Sequence, residues 1–413
     1  MPAGIREGVR LSPIRVGAKE AGVLIKCPIR ADLRWCIGVF IMMRVALTVW
    51  SIVILQVYPI KPDWDEPVFA FYEKVVPGGY HDGHSVSDHL LWPWYRWDTD
   101  WYLRIAVEGY DADGRGAFPP LYPALIRGLG TLLGGQYLLA ALIISNIATV
   151  LVIWLIYQES YAHFDGTTAQ LSVIYLIGFP TAFFLVAAYT ESLFLALLLL
   201  AWRAASTEEW LQAGFWGAAS VLVRFHGIAL LLPMAYLIWK KGGLTRRRAL
   251  ALLAILLALF AWLLYARLGP VGAFPWQVQG LVWKEHIGLP WEGIIHNLFA
   301  ISGQFPPHGG SLFSMSLDLF SALLFIILTI AASRVLPREH LLLMVVLLLI
   351  ALTRVDQYGV MRSMSRYMLA LFPGFLVLAR AGRRTAFHWP WIIFSLTLEA
   401  LASALFFLYF WVA

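Results

Sequence analysis

Apolar stretches close to the roughly 20 residues that cross a bilayer as helix recur along the chain, separated by short polar and basic clusters. The run YLLAALIISNIATVLVIWLIY, Tyr137 to Tyr157, is typical. Spans are expected near residues 35–58, 136–157, 168–188, 190–205, 210–224, 225–239, 249–268, 312–333, 339–353, 364–379 and 391–412. The pattern predicts an all-α polytopic membrane protein, a bundle of about eleven transmembrane helices. The runs between 190 and 239 are short for full crossings, and 118–133 reads as a re-entrant or surface helix.

Orientation follows from the basic residues. The tail at 1–34 carries Arg6, Arg10, Arg15, Lys19, Lys26, Arg30 and Arg34, and later clusters fall at Lys240, Lys241 and Arg246 to Arg248, at Arg334 and Arg338, and at Arg380, Arg383 and Arg384. With the eleven spans above, all of these lie on one side, which puts the N-terminus in the cytoplasm. A single transmembrane domain is expected over 35–413. Its two long outer segments, 59–135 and 269–311, then lie on the non-cytoplasmic face. The first is acidic and aromatic and is expected to hold interfacial helices; the second is rich in Trp, Pro and Gly. Both are long enough to be functional loops.

Composition sharpens this. The 413 residues are 60% hydrophobic and 14% charged, with mean hydropathy +0.71, outside the range of a soluble globular chain. The first run follows the tail without a small-residue cleavage site, so it is expected to remain as an uncleaved span. A net charge of +6 does not point to nucleic acid, because the basic residues are the short clusters of the topology rule. Two cysteines, Cys27 and Cys36, make neither a disulfide framework nor a zinc pattern. The run YHDGHSVSDH, Tyr80 to His89, crowds His81, Asp82, His84, Asp88 and His89, but at spacings of no defined site; it reads as a solvated loop. No metal or other cofactor is expected. A P-loop, a dinucleotide fingerprint and a nucleophile elbow are absent.

Candidate chemistry concentrates on the outer face. The topology brings there Asp98 and Asp100 in WYRWDTDWYLRIAVEGY, Thr190-Glu191 at a span junction, Arg224 in SVLVRFHGIALLLP, and Arg354, Asp356, Arg362 and Arg366 in TRVDQYGVMRSMSRY. Ionisable groups at membrane depth are costly and mark functional paths or buried pairs. Acids beside arginines suit a carboxylate that takes a proton from a hydroxyl while cations stabilise a departing phosphate. On a helix starting near Asp98, that residue shares a face with Tyr102, Ile105 and Ala106, whereas Asp100 shares another with Arg104. The two acids then point apart. Plainer roles compete: a helix cap for Asp98, a buried ion pair for Glu191, headgroup anchoring for Arg362 and Arg366, and for Arg44 a structural pairing with some acid.

These residues resemble the PIG-V family of GPI mannosyltransferases and its prokaryotic relatives, within the GT-C class of membrane glycosyltransferases. The resemblance lies in RWDTDWYLRIAVEGY, FPPLYPALIR (Phe118 to Arg127), FPTAFFLVAAYTESLFLALLLLAWRAA (Phe179 to Ala205), LVRFHGIALLLP (Leu222 to Pro233) and SRYMLALFP (Ser365 to Pro373), in the family's order. Where the family commonly has Pro after the arginine matching Arg224, this chain has Phe225-His226. The resemblance implies a GT-C-like bundle that transfers a mannosyl or related hexosyl residue, with inversion, from a polyprenyl or dolichyl phosphate to a lipid or glycan acceptor on the non-cytoplasmic face. It implies Asp98 as the base; Glu191, positioning the acceptor or tuning Asp98, and Asp100 are expected beside it as further acids of the catalytic centre. Arg224, Arg366 and Arg362 are then expected at the donor phosphate, and Trp97, Tyr102, Tyr122, Tyr189 and His226 around the substrate. A bacterial plasma membrane is the expected location. The rival readings are a transporter of lipid-linked sugars and a non-catalytic partner of a membrane transferase.

Overall fold

A computed structural model of the chain describes residues 29–59, 67–81, 85–303 and 311–412. Most of the basic tail lies outside them, as do Asp82 and His84 of the histidine-rich run. The described residues form a helical bundle with one small antiparallel pair of strands. The protein is an integral membrane protein. Among the described residues, five helices are long and apolar enough to cross a bilayer: Asp32–Val57, Tyr137–His163, Arg246–Leu268, Leu312–Ala332 and Thr385–Phe407. Shorter apolar helices, among them Gly166–Ile177, Trp210–Val223 and Phe372–Ala381, pack between them.

Three of the expected spans are broken. The stretch 168–188 is helical only to Ile177, where Gly178 and Pro180 end the repeat; a buried irregular segment follows, with a single 3-10 turn at Ala182–Leu185. The stretch 225–239 begins as a 3-10 turn, Phe225–Leu230, and 364–379 divides into Met364–Tyr367, Met368–Ala370 and Phe372–Ala381. Irregular backbone inside a membrane bundle persists only where protein groups replace the lost helical bonds. That is the case here. The Leu185 carbonyl accepts from Thr149 Oγ1 at 2.5 Å, the Tyr189 carbonyl from Ser145 Oγ at 3.0 Å, and the Gly178 carbonyl from Ser395 Oγ at 2.5 Å.

Arg44 belongs to this repair. Its NH1 reaches the Val186 carbonyl at 3.4 Å, which also accepts from Asn146 Nδ2, and its guanidinium lies 4.5 Å from the centre of the Trp94 ring. The acid partner expected for it is replaced by a carbonyl and an aromatic face. A serine, threonine, asparagine or arginine on a neighbouring helix thus satisfies carbonyls released by the break after Ile177.

The first outer segment folds back over the bundle as short helices, including Pro67–Val75, Val86–Leu90, Asp98–Glu108 and Leu121–Leu132. Arg96 fastens it to the last helix. The side chain is fully buried, donates from Nε and NH2 to the Phe407 carbonyl at 3.0 and 2.8 Å and from NH1 to the Trp92 carbonyl at 2.6 Å, and stacks on Tyr409. The described part of the histidine-rich run also makes local structure: Asp88 accepts from the backbone of His81 and Ser85 and closes a capping box on Val86–Leu90.

The second outer segment lies across the first. Its strand β1, Glu285–Ile287, pairs antiparallel with β2, Arg354–Asp356, in the register Glu285 to Asp356 and Ile287 to Arg354. Trp283, just before β1, donates to the Gly114 carbonyl at 3.2 Å and packs edge-on against Trp101 and Phe118. Two chain segments far apart in sequence therefore form one roof.

A second, partly buried polar cluster lies near the C-terminal end of the helix Tyr137–His163. Glu159 Oε1 accepts from Trp202 Nε1 at 3.0 Å and sits 2.8 Å from His340 Nε2, with His163 alongside. These are metal-ligand residue types with donor atoms within 4.8 Å of one another. The carboxylate oxygen they share already meets two nitrogens, so the cluster is closed at that oxygen.

Candidate active site

Beneath the roof is a cavity of about 390 Å³. Asp98, Arg224, Arg362 and Arg366 line it, together with Trp97, Tyr102, His226, Tyr367 and, from the strand pair, Glu285 and Arg354. Residues from the first outer segment, the helix break at 224–226, the second outer segment and the region after β2 thus share one space. The outer-face convergence expected from the topology is a physical cluster.

Asp98 is the first residue of the helix Asp98–Glu108, and its side chain caps nothing. The cap position is Trp97, held at φ 50°, a left-handed backbone uncommon for a bulky residue. Ser363, immediately before Met364–Tyr367, is likewise at φ 59°. The two strained residues introduce the helices that bear Asp98 and Arg366, and such strain persists where surrounding structure fixes a side-chain position. The fixed contact is Arg366 NH1 donating to Asp98 Oδ2 at 2.8 Å, with both residues buried.

The ion pair extends inward. Arg366 Nε lies 3.1 Å from Glu191 Oε1, and Arg224 NH1 donates to the same oxygen at 2.5 Å. Glu191 stands behind the two arginines and does not line the cavity. On the roof, Arg354 pairs with Glu285 at 2.5 Å and also donates to the Tyr367 hydroxyl, while Arg362 Nε lies 3.4 Å from Asp356 Oδ2. Four acids and four arginines are therefore coupled around the cavity. They differ in tightness. Arg366 is buried against two carboxylates; the Arg362 side chain is 31% exposed and has the longest of these contacts.

The remaining expected residues divide. Tyr102 lines the cavity and its hydroxyl is 3.2 Å from Thr190 Oγ1; burial, then the charge of Asp98, push its phenol above the ordinary range, so it remains a neutral hydroxyl. Asp100 points the other way, accepting from the Tyr95 hydroxyl at 2.5 Å and from Arg104 Nε at 2.6 Å. Burial pushes its carboxyl up while those two donors pull it down. The helical spacing foresaw this divergence, and Asp100 stays outside the cavity. Tyr122 and Tyr189 also stay outside. The Tyr122 hydroxyl is 2.9 Å from Ser145 Oγ, and the Tyr189 hydroxyl donates to the Arg96 carbonyl at 3.2 Å and accepts from the Asp98 N–H at 3.3 Å. Both bury their rings in the core below.

Glu285, Gln279, Trp283 and Trp411 line the cavity without having been singled out in the sequence. The signal for the first three was only the length and aromatic content of the second outer segment. Trp411, four residues beyond the last helix, packs edge-on against Trp97 at 5.2 Å.

Residues 118–265 match the model of a family described as dolichyl-phosphate-mannose-protein mannosyltransferase. This match takes in Glu191, Arg224 and His226 but neither Asp98 nor Arg366. GPI mannosyltransferase 2 of Drosophila melanogaster is 29% identical over 150 residues, 33% of this chain and 33% of that protein. The chain resembles membrane mannosyltransferases. The family resemblance read from the sequence motifs is borne out, although the chain aligns with only a third of the length of that curated relative. Among solved structures, ArnT from Cupriavidus metallidurans bound to undecaprenyl phosphate is similar over 87% of this chain and 63% of its own, at 14% identity and a TM-score of 0.46.

Proposed function

We propose that the protein is a membrane glycosyltransferase that moves a hexosyl residue, mannosyl in the first instance, from a polyprenyl phosphate to a hydroxyl of a lipid or glycan acceptor. The observation that carries this reading is the cavity itself, in which the buried carboxylate of Asp98 faces the same space as Arg224 and Arg362. The acceptor hydroxyl oxygen attacks the anomeric carbon and gives its proton to Asp98. The bond from that carbon to the phosphate oxygen breaks, and its electron pair remains on the lipid phosphate. With Oδ2 held by Arg366, Oδ1 of Asp98 accepts the proton.

The geometry favours a division among the arginines. Arg366 is engaged by Asp98 and Glu191 and serves to orient the base. Arg362, the most exposed of the four arginines, and Arg224, on the same wall, receive the phosphate; an incoming anion exchanges a carboxylate for a phosphate oxygen on them. Glu191 fixes the separation of Arg224 and Arg366. Trp97 and Tyr102 offer flat surfaces to sugar rings. The cavity then faces the non-cytoplasmic side of a plasma membrane, in accord with the basic clusters at the other side of the topology.

The test is transfer of radiolabelled mannose from polyprenyl-phosphate mannose into a membrane lipid extract, comparing purified wild type with Asp98→Asn. Label in a new product with wild type alone supports the reading, and the product identifies the acceptor. No transfer from several lipid-phosphate hexoses, despite specific binding of the lipid, overturns it in favour of a carrier or an assembly partner.

A further inference from the structure

His226 is a buried polar side chain in the cavity wall with nothing to bind. It is 5% exposed, and neither ring nitrogen has a hydrogen-bond partner among the described residues. Leaving both edges of an imidazole unsatisfied in a buried place costs free energy that a bound group would recover. It borders the cavity, and a much smaller pocket behind it that Glu191, Arg224 and Arg366 also line.

Its placement is closely determined. The 3-10 turn Phe225–Leu230 lies against the preceding helix so tightly that a Cβ on Gly227 would stand 2.4 Å from Ser220 Oγ and 2.6 Å from the Val221 nitrogen. Only glycine allows that approach. The imidazole then stacks on Tyr367, with ring centres 5.1 Å apart and planes at 29°, and on Phe225 at 4.1 Å. Tyr367 is fixed in turn by Arg354, which donates to its hydroxyl. The ring faces are covered by aromatics, so the polar edges are what His226 has left to offer.

The neighbours define the ligand. Arg224 is adjacent in sequence and faces the same cavity. An anion has those guanidiniums to bind, and a neutral imidazole offers one donor and one acceptor, the complement of a hydroxyl. In a lipid-phosphate sugar the phosphate is flanked by an apolar prenyl chain and by the sugar, and only the sugar carries hydroxyls, so a hydrogen-bonding side chain beside the phosphate site meets a sugar hydroxyl. We propose that His226 forms a hydroxyl-binding subsite for the transferred hexose, distinguishing glycosylated from bare lipid phosphate. This deepens the functional reading above and rests on it.

His226→Phe keeps the aromatic stack and removes both nitrogens. The probes are mannosyl phosphoryl undecaprenol, versions of it lacking single sugar hydroxyls, and undecaprenyl phosphate. Wild type should use one deoxy donor about tenfold less well in kcat/KM than the full sugar, and His226→Phe should lose that discrimination while binding undecaprenyl phosphate as wild type does. Full discrimination at every hydroxyl in the variant, or an equal loss of affinity for the bare lipid phosphate, overturns the proposal. Should His226→Phe unfold early in detergent, His226→Gln, whose reach differs, must cut the discrimination at the same hydroxyl at least threefold, and an unchanged value overturns the proposal. If wild type transfers nothing, the functional reading fails, and competition between glycosylated and bare lipid still decides the subsite: wild type must prefer the former and His226→Phe must not.

Discussion

The bundle holds two polar clusters built partly on the same helix, one buried and one partly buried. Ser145 of the helix Tyr137–His163 supports the segment leading to Glu191, and Glu159 lies 14 positions further along, roughly 21 Å at 1.5 Å per residue. Around Glu159 one carboxylate oxygen meets Trp202 and His340, and none of the three lines the cavity beneath the roof. Around Asp98 the carboxylate meets an arginine on one side and open space on the other. Both contain acids beside bases. What separates them is vacancy, and a buried polar group next to an empty volume is where a substrate finds partners.

Substituting the acid of the open cluster should have the largest effect on turnover. Asp98→Asn preserves shape and removes the basic oxygen, and the expected loss is roughly a hundredfold to ten-thousandfold. Lipid-donor binding should persist, because Arg362 and Arg224 are untouched. Turnover within tenfold of wild type would remove Asp98 from the role of base and leave Glu285, which also lines the cavity, as the acid to test next.

In the closed cluster the effect should be on stability. His340→Ala removes one of the two nitrogens that Glu159 Oε1 meets, leaves the Trp202 bond in place and opens a gap, at a cost of about 1–3 kcal/mol. Thermal unfolding in detergent should shift down by several degrees while turnover per folded molecule stays within about twofold. A fall in turnover comparable with that of Asp98→Asn, without a stability change, would break the distinction between the clusters.

Much of the open cluster was legible because it depends on topology and helical spacing. Asp98, Arg224, Arg362 and Arg366 fall at span ends on one face, and the three-to-four spacing turned Asp98 and Asp100 apart. The breaks in the bundle were less legible. Gly178 and Pro180 are visible terminators, yet nothing local tells that Thr149, Ser145 and Ser395 will satisfy the backbone they release. Glu285 was invisible for another reason, since a three-residue strand has too few positions to show alternation and owes its place to pairing with β2. Tyr122 and Tyr189 looked like sugar-stacking residues because aromatic richness does not reveal burial.

Asp100→Asn compares two carboxylates on one short helix. Asp100 loses a charge-assisted bond from Arg104 while keeping an oxygen for the Tyr95 hydroxyl, so a stability loss of about 1 kcal/mol is expected with little change in turnover. Paired unfolding and transfer assays check this. A turnover defect rivalling that of Asp98→Asn would mean that the helix Asp98–Glu108 acts as a unit and that its two faces are not separate.

The smallest effect belongs to a third group, near the connector between Glu191–Ser206 and Trp210–Val223, where Glu208 pairs with Lys241 at 3.1 Å and with Arg248 at 3.2 Å. The Lys241 hydrogen bond, followed by its charge, holds the Glu208 carboxyl below its ordinary value near 4.5. A depressed acid binds its proton less readily when folded than unfolded, so its stabilisation is complete above the unfolded value and disappears as pH falls through the folded one. The pair is half exposed and screened, and the loss is expected to be only a few tenths of a kcal/mol below about pH 4.5. Unfolding midpoints of wild type and Glu208→Gln should therefore differ slightly at pH 7 and converge toward pH 3, the more so at low salt. A difference that grows on acidification would have the wrong sign for an ion pair and would assign Glu208 a neutral, hydrogen-bonding role.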